Sequence, residues 1–346
     1  MKIPRRLFSF CCATGAIAFA FALTGPAAQA APPAKVRLGT LVPKGSTYYQ
    51  QLMTMGEKWR TATNGAHSLL VYPDGSMGGE AEMVRRMRQG QLHAGLLTTV
   101  GLSQIEPAVT GLQNLPMMFE NLDDVDYVGE RLQPMLQKKI EAKGFVVLFW
   151  GDTGWVRVFS KKPVKLPDDL KPQEYFVWAG DQPAFELVRD LGLKPVSLET
   201  ADILPSLKTG IIKSVAMPPF VALAAQVDTS APYMLELNYA PLVGACVIRK
   251  DVWDQFTDAQ RAEMTKAGEL AGKEFKAASR KEADEAVVAM QKRGLKVHKP
   301  TAAENETWKK FLEPAYPRIR GKIVPEDVFD EAKRLLDERH KAKGNG

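Results

Sequence analysis

Short apolar strands alternating with amphipathic helices predict an α/β protein of two lobes joined by a hinge, with one long helix reaching across both. Three observations carry this. Residues 35–98 read as strand, helix, strand, helix, strand; an apolar run at 145–150 then leaves that first unit; and a helical pattern opened at Thr257 continues to Arg293. The expected organisation is a leader at 1–30, a first lobe at 31–152, a second at 153–238, a return to the first at 239–256, the bridging helix at 257–293 and a C-terminal helical segment at 294–346.

Residues 35–42 have the β-branched and apolar content of a buried first strand. Ser46 is placed to cap a helix in which Leu52, Met55 and Trp59 recur at helical spacing until Asn64-Gly65 stops it. Tyr48 and Tyr49 fall in its first turn, just past the carboxyl end of the strand, where open parallel sheets bind ligands; each is equally suited to packing at a helix start. Residues 68–72 form a second strand, and 73–79 a glycine-rich loop into a helix with Met83 and Met87 on one face. That loop lacks Gly-Lys-Ser/Thr and is no phosphate cradle. Residues 92–98 are a third strand ending at the polar pair Thr98 and Thr99, and the apolar loop 115–119 approaches the same opening. Val125, Val128, Leu132 and Met135 repeat at three and four and predict a helix over 123–143.

Residues 151–220 hold the segments expected to close over a ligand. They read as a strand, a proline-punctuated loop, a strand at 175–179, a helix at 183–191 packing through Phe185 and Val188, and a helix that Pro205 is expected to kink or end early. A turn at Gly210, a further strand and a Pro-Pro bend follow. The period of two puts Phe176 and Trp178 on one face of their strand. Residues 235–248 read as a single return strand, in which Cys246 is a small buried hydrophobe. Thr257 and Gln260 have capping-box spacing, and the helix they open would extend roughly 50 Å at ~1.5 Å per residue. Pro325 opens a last charged helix, with 341–346 expected to fray.

With 45% hydrophobic and 25% charged residues in 346, the chain is globular and long enough for two domains. Lys2, Arg5 and Arg6, the apolar run 7–23 and Ala28-Gln29-Ala30 together make a secretory signal, with cleavage expected after Ala30 and export by the general route favoured over the twin-arginine route. Its loss takes three positive charges, lowering the formal net charge from +6 to +3, too little and too dispersed for nucleic acid. It also takes Cys11 and Cys12, leaving Cys246 without a disulfide partner. His67, His93, His298 and His340 form no metal-ligand spacing, and there is no Gly-x-Ser-x-Gly elbow, so neither an enzyme nor a metal or cofactor is expected.

The patterns LGTLVPKGSTYY, TNGAHSLLVYPDGSMGGEAEMVRRMRQGQLHAG, LQNLPMMF, KGFVVLFWGDTGW, SKKPVKLPDDLK and LKTGIIKSVAMPP occur in that order between residue 35 and about residue 294. On them the chain resembles the solute-binding proteins of tripartite ATP-independent periplasmic (TRAP) transporters, of the dicarboxylate-binding type. The resemblance implies a two-lobed periplasmic binding protein fold of the type II kind, with a long helix across its hinge. It also implies a periplasmic location, capture of a small-molecule ligand by lobe closure and delivery to membrane permease subunits. Some branches of the family pair with a tetratricopeptide-type partner protein. Members usually hold the ligand's carboxylate with an arginine in the strand after the turn matched by Asp169-Leu170-Lys171; that place is taken here by Phe176. A second common arginine falls on Val156, with Arg157 one position late, and Met217 stands where an amide often faces the ligand.

Three polar anchors thus become apolar, and Trp155, Phe176, Trp178, Met217 and Phe220 gather in this region. Burying a charge without a partner costs several kcal/mol, whereas each buried apolar side chain contributes about 1.5–3 kcal/mol. The expected ligand is therefore hydrophobic or amphiphilic, contacted by those five residues together with Tyr48, Thr98 and Thr99. A small organic acid held by Arg157 and the Thr98-Thr99 pair is the alternative, although strand alternation turns Arg157 away from position 156 unless a bulge re-aims it. A periplasmic interaction protein that presents lipid or solute to a partner protein is the third.

Overall fold

The computed structural model describes residues 34–344; the leader, its cleavage point and the last two residues lie outside them. In the first lobe β1 (Lys35–Thr40), α1 (Thr47–Ala62), β2 (Ser68–Tyr72), α2 (Glu80–Arg88) and β3 (Ala94–Thr98) alternate, and α3 (Leu122–Ala142) leads into β4 (Phe145–Trp155). In the second lobe come β5 (Arg157–Ser160), β6 (Glu174–Trp178), α4 (Gln182–Asp190), β7 (Lys194–Leu198), β8 (Ser214–Met217) and β9 (Tyr233–Leu235). The chain then returns as β10 (Pro241–Arg249), continues through α5 (Asp258–Lys292) and β11 (Lys296–His298), and ends in α6 (Ala302–Leu312) and α7 (Glu326–Gly344). The sheets have the orders β2-β1-β3-β10-β4 and β11-β9-β5-β8-β6-β7.

Helix starts follow side-chain chemistry. Ser46 Oγ accepts the Tyr49 N–H at 3.3 Å, and the helix it caps buries Leu52, Met55 and Trp59 before Asn64 and Gly65 leave helical geometry with φ of 51° and 81°. At Thr257 the capping box closes both ways, Gln260 N–H to Thr257 Oγ1 at 3.3 Å and Thr257 N–H to Gln260 Oε1 at 3.0 Å.

Three expectations change. The apolar strand does not stop at Trp150: β4 runs on through Gly151-Asp152-Thr153-Gly154, a sequence that reads as a turn, because β10 pairs with it as far as Pro241 opposite Trp155. The single strand expected at 235–248 is two, since β9 pairs with β5 and β11 in the second sheet and the chain then changes sheets before β10. Pro205 neither kinks nor ends a helix; the helix Ile203–Thr209 begins just before it, so proline occupies the first turn, where a missing N–H is harmless.

The 35 residues of α5 span about 50 Å at ~1.5 Å each. Met264, Ala267, Ala271 and Phe275 join the first-lobe core around Leu38, Trp59 and Phe149, while Ala286 and Met290 join the second-lobe core around Phe159 and Val215. Arg280 ties the middle of the helix to the first lobe through Asp126 and Asp152, and Arg293 ties its end to Asp228 at 2.9 Å. Among the described residues no helix is long and apolar enough to cross a membrane.

Candidate functional site

Between the sheets lie two adjoining cavities that share Trp178, Met217, Pro218 and Leu242 as a common waist. The first, of about 120 Å³, is built from the carboxyl ends of the first-lobe strands (Thr40, Leu96, Thr98), the first turn of α1 (Tyr48), Phe275 of α5, and Thr200 and Phe220 of the second lobe. This is where a parallel sheet leaves a crevice beyond its strand ends. The second, of about 140 Å³, is enclosed by Val156, Tyr175, Phe176, Asp181, Leu187, Ala216 and Tyr239, with Gln113 and Asn114 from the first lobe.

Aromatic rings dominate both. The Tyr48 ring lies 4.4 Å from Phe220 and 4.7 Å from Phe275, centroid to centroid, and Phe176 meets Trp178 edge-on at 4.8 Å. Among the described residues the buried Thr200 hydroxyl has no hydrogen-bond partner, and the buried Tyr48 hydroxyl points towards Ser279 and Glu282. Burial, reinforced by the Glu282 carboxylate, keeps the Tyr48 phenol protonated far above its ordinary range.

Among the described residues, the lining of both cavities contains no lysine or arginine and two carboxyl groups, Glu80 in the first and Asp181 in the second. Glu80 accepts the Thr98 N–H at 2.8 Å, the Thr98 hydroxyl at 2.7 Å and the Gly101 N–H at 2.8 Å, all uncharged donors. Asp181 caps α4 by accepting the Ala184 N–H at 3.1 Å. Burial raises both carboxyls above their usual range, against those hydrogen bonds. Tyr239 is pushed up to about 12, chiefly by burial and then by Tyr316 and Asp181.

Of the residues singled out in the sequence, Tyr48, Thr98, Trp178, Met217 and Phe220 line the first cavity, and Phe176, Trp178 and Met217 line the second. Three do not line either. Trp155 packs in a core with Leu112, Leu187 and Val243, and Thr99 is buried at the start of a short helix. Arg157 pairs with Met217 across the strands but is engaged elsewhere, donating to the Leu237 carbonyl at 2.8 Å and to Asn238 Oδ1 at 3.0 Å. Sequence reasoning did not single out Glu80, Asp181, Thr200 or Tyr239. Asp181 carried a signal, an acid two residues before Pro183 and three after Trp178, but that pattern is also what an ordinary helix cap looks like.

His93 accepts from the Arg37 N–H at 3.1 Å, and burial together with the Arg37 and Arg249 charges lowers it to about 4. Cys246 is fully buried, which raises its thiol. Glu120, just before α3, Asp124 of α3 and His340 of α7 come close together outside the cleft, with Asp124 held by Arg339 at 2.9 Å.

A family model, "bacterial extracellular solute-binding protein, family 7", matches residues 38–322. The C4-dicarboxylate-binding periplasmic protein DctP of Rhodobacter capsulatus is 24% identical over 327 residues, covering 91% of this chain and 94% of that one. Among solved structures, a TRAP periplasmic solute-binding protein from Ralstonia eutropha H16 with bound (S)-2-acetolactate superposes with a TM-score of 0.83 at 22% identity, covering 89% of this chain and 100% of the other. The sugar acid binding protein DctPAm from Advenella mimigardefordensis, in complex with galactonate, gives 0.82 at 17% identity, covering 89% and 99%. At these identities the likeness to the solved structures establishes the two-lobed fold.

Proposed function

The chain belongs to bacterial extracellular solute-binding protein family 7 and is the periplasmic solute-binding component of a TRAP-type transporter, not an enzyme; from that premise we propose that its ligand is an apolar or amphiphilic solute enclosed between the lobes. The observation that carries the reading is the lining at Val156, Phe176 and Met217, the three places where the family resemblance implies polar anchors. On this reading the chain binds without a guanidinium on its ligand. A solute in the paired cavities would bury its apolar body against Trp178, Met217 and Phe220, and lobe closure would exclude water from it.

A small organic acid, the ligand class of the relatives, is the second reading. It is disfavoured because a carboxylate would enter a cavity without a cationic partner, at a cost of several kcal/mol. Arg157 supplies no such partner while its guanidinium serves Leu237 and Asn238. A tetratricopeptide-type partner belongs to a third reading, in which the chain presents a lipid or solute to a partner protein instead of feeding a permease.

Calorimetric titration with succinate, on the wild type and on Phe176→Ala and Arg157→Leu, tests this. The expected result is no measurable succinate binding by any of the three, with native mass spectrometry of the purified wild type detecting an apolar ligand. Micromolar succinate binding that Phe176→Ala leaves intact and Arg157→Leu abolishes would replace the apolar reading with the acid one.

A further inference from the structure

The second cavity has an unusual combination of walls. The three positions that the family resemblance marks as anchors are apolar, its rings are Phe176, Trp178, Tyr175 and Tyr239, and the one formally charged side chain facing it among the described residues is an aspartate. Asp181 Oδ1 is engaged by the Ala184 N–H, whereas Oδ2 accepts no hydrogen bond and no ion pair among the described residues. The first cavity repeats the sign, with Glu80 as its sole charged residue among the described ones and three neutral donors around it.

Two carboxyl groups in a low-dielectric cleft with no lysine or arginine in its walls focus negative potential into the space where a ligand must sit. Electron-rich ring faces favour the same sign of ligand as the carboxylates do. We infer that the solute carries a cationic nitrogen, seated in the second cavity against Asp181 Oδ2 and the rings of Trp178 and Tyr239, with an apolar body passing the Met217–Leu242 waist into the first cavity. This rests on the apolar reading above and adds the charge and the polarity of the ligand's head to it. It also gives the half-buried Asp181 carboxylate a counter-charge: burial disfavours its charge, and a ligand ammonium supplies the opposite charge that the cavity lining omits.

The test is a matched series of straight-chain ligands from butyl to octyl, each with an ammonium, a hydroxyl or a carboxylate head, titrated by calorimetry into the wild type and Asp181→Asn. Asparagine caps helices as well as aspartate does, so the variant keeps α4 while losing the charge. At the chain length that binds most tightly, the ammonium is expected to exceed the alcohol by about tenfold or more, as a charge-assisted contact does over a neutral one. Asp181→Asn is expected to erase that preference. An alcohol binding as tightly as its ammonium, a preference that survives in Asp181→Asn, or no binding by any ammonium would overturn the cationic head while leaving the apolar reading in place. A carboxylate preferred over both would overturn the two together. The wild-type ranking does not depend on the variant, so the inference stays testable even where Asp181→Asn folds poorly.

Discussion

Glu80 is a carboxyl with, among the described residues, three hydrogen bonds and no ion pair, buried at the point where the glycine-rich loop becomes α2. Its donors fix Thr98 and the turn at Gly101, so the residue sets the wall of the first cavity as well as its polarity. Burial raises the carboxyl above its ordinary value of 4.5 against those donors. Between 4.5 and the raised value the folded state holds a proton that the unfolded chain has released, so stability is lost as pH rises through that window. Glu80→Gln cannot ionise. Urea unfolding of both proteins from about pH 4 to about pH 7 should therefore find the difference moving steadily in favour of the variant; a constant difference would mean Glu80 titrates normally. Nothing in the sequence distinguishes such an acid from a solvated one. Glu80 follows Gly78-Gly79 in a first helical turn, and Asp181 precedes a Pro-containing one, both places where exposed acids are common. Only the opposing lobe turns them into cavity walls. Tyr48, Phe176 and Met217 were legible because strand-end position and a family pattern mark them locally.

At the scale of elements, what could be read in advance was what depends on neighbours in sequence. The caps at Ser46 and Thr257 and the length of α5 rest on side chains within three residues of the helix start and on an unbroken pattern. The extension of β4 and the division between β9 and β10 depend on pairing across some 90 residues, and the turn-like Gly151–Gly154 stretch concealed the first. The glycines of α5 show the same dependence. Gly272 looks like a liability, since alanine is better by about 1 kcal/mol in a helix. A Cβ there would stand 2.8 Å from Phe149 Cβ, and one at Gly268 2.8 Å from the Leu148 carbonyl oxygen, so these glycines let the helix lie directly on β4. Gly272→Ala should lower unfolding free energy by about 1–3 kcal/mol, the usual cost of overpacking. Gly129→Ala in α3, where the nearest atom is Gln133 Nε2 at 3.5 Å, should raise it. Denaturant midpoints for the pair decide the matter: two gains would mean that α5 is free to lift from the strand.

The whole molecule brings these contacts into one requirement, that the lobes meet. Helix α5 belongs to both cores, and the ion pairs of Arg280 and Arg293 fasten it at its middle and its end. Any relative movement of the lobes would have to be taken up where β4 runs into β5 and where the chain returns from β9 to β10. At the seam between the lobes Glu199 packs onto Gly79, and a Cβ on Gly180 would be 3.5 Å from Ala81 Cβ, an ordinary van der Waals distance, with Gly180 at a φ of +88° in the turn after β6. A large side chain at 81 finds no room there while the lobes are together, yet it leaves both cores untouched, since Ala81 belongs to neither. Ala81→Trp should therefore act as a wedge. Its thermal unfolding should stay close to wild type, its affinity for whichever ligand the wild type binds should fall by about tenfold or more, and small-angle scattering should find no contraction on adding that ligand. Normal affinity and contraction in the wedge variant would mean that the 81–180 seam does not have to close for the solute to be held.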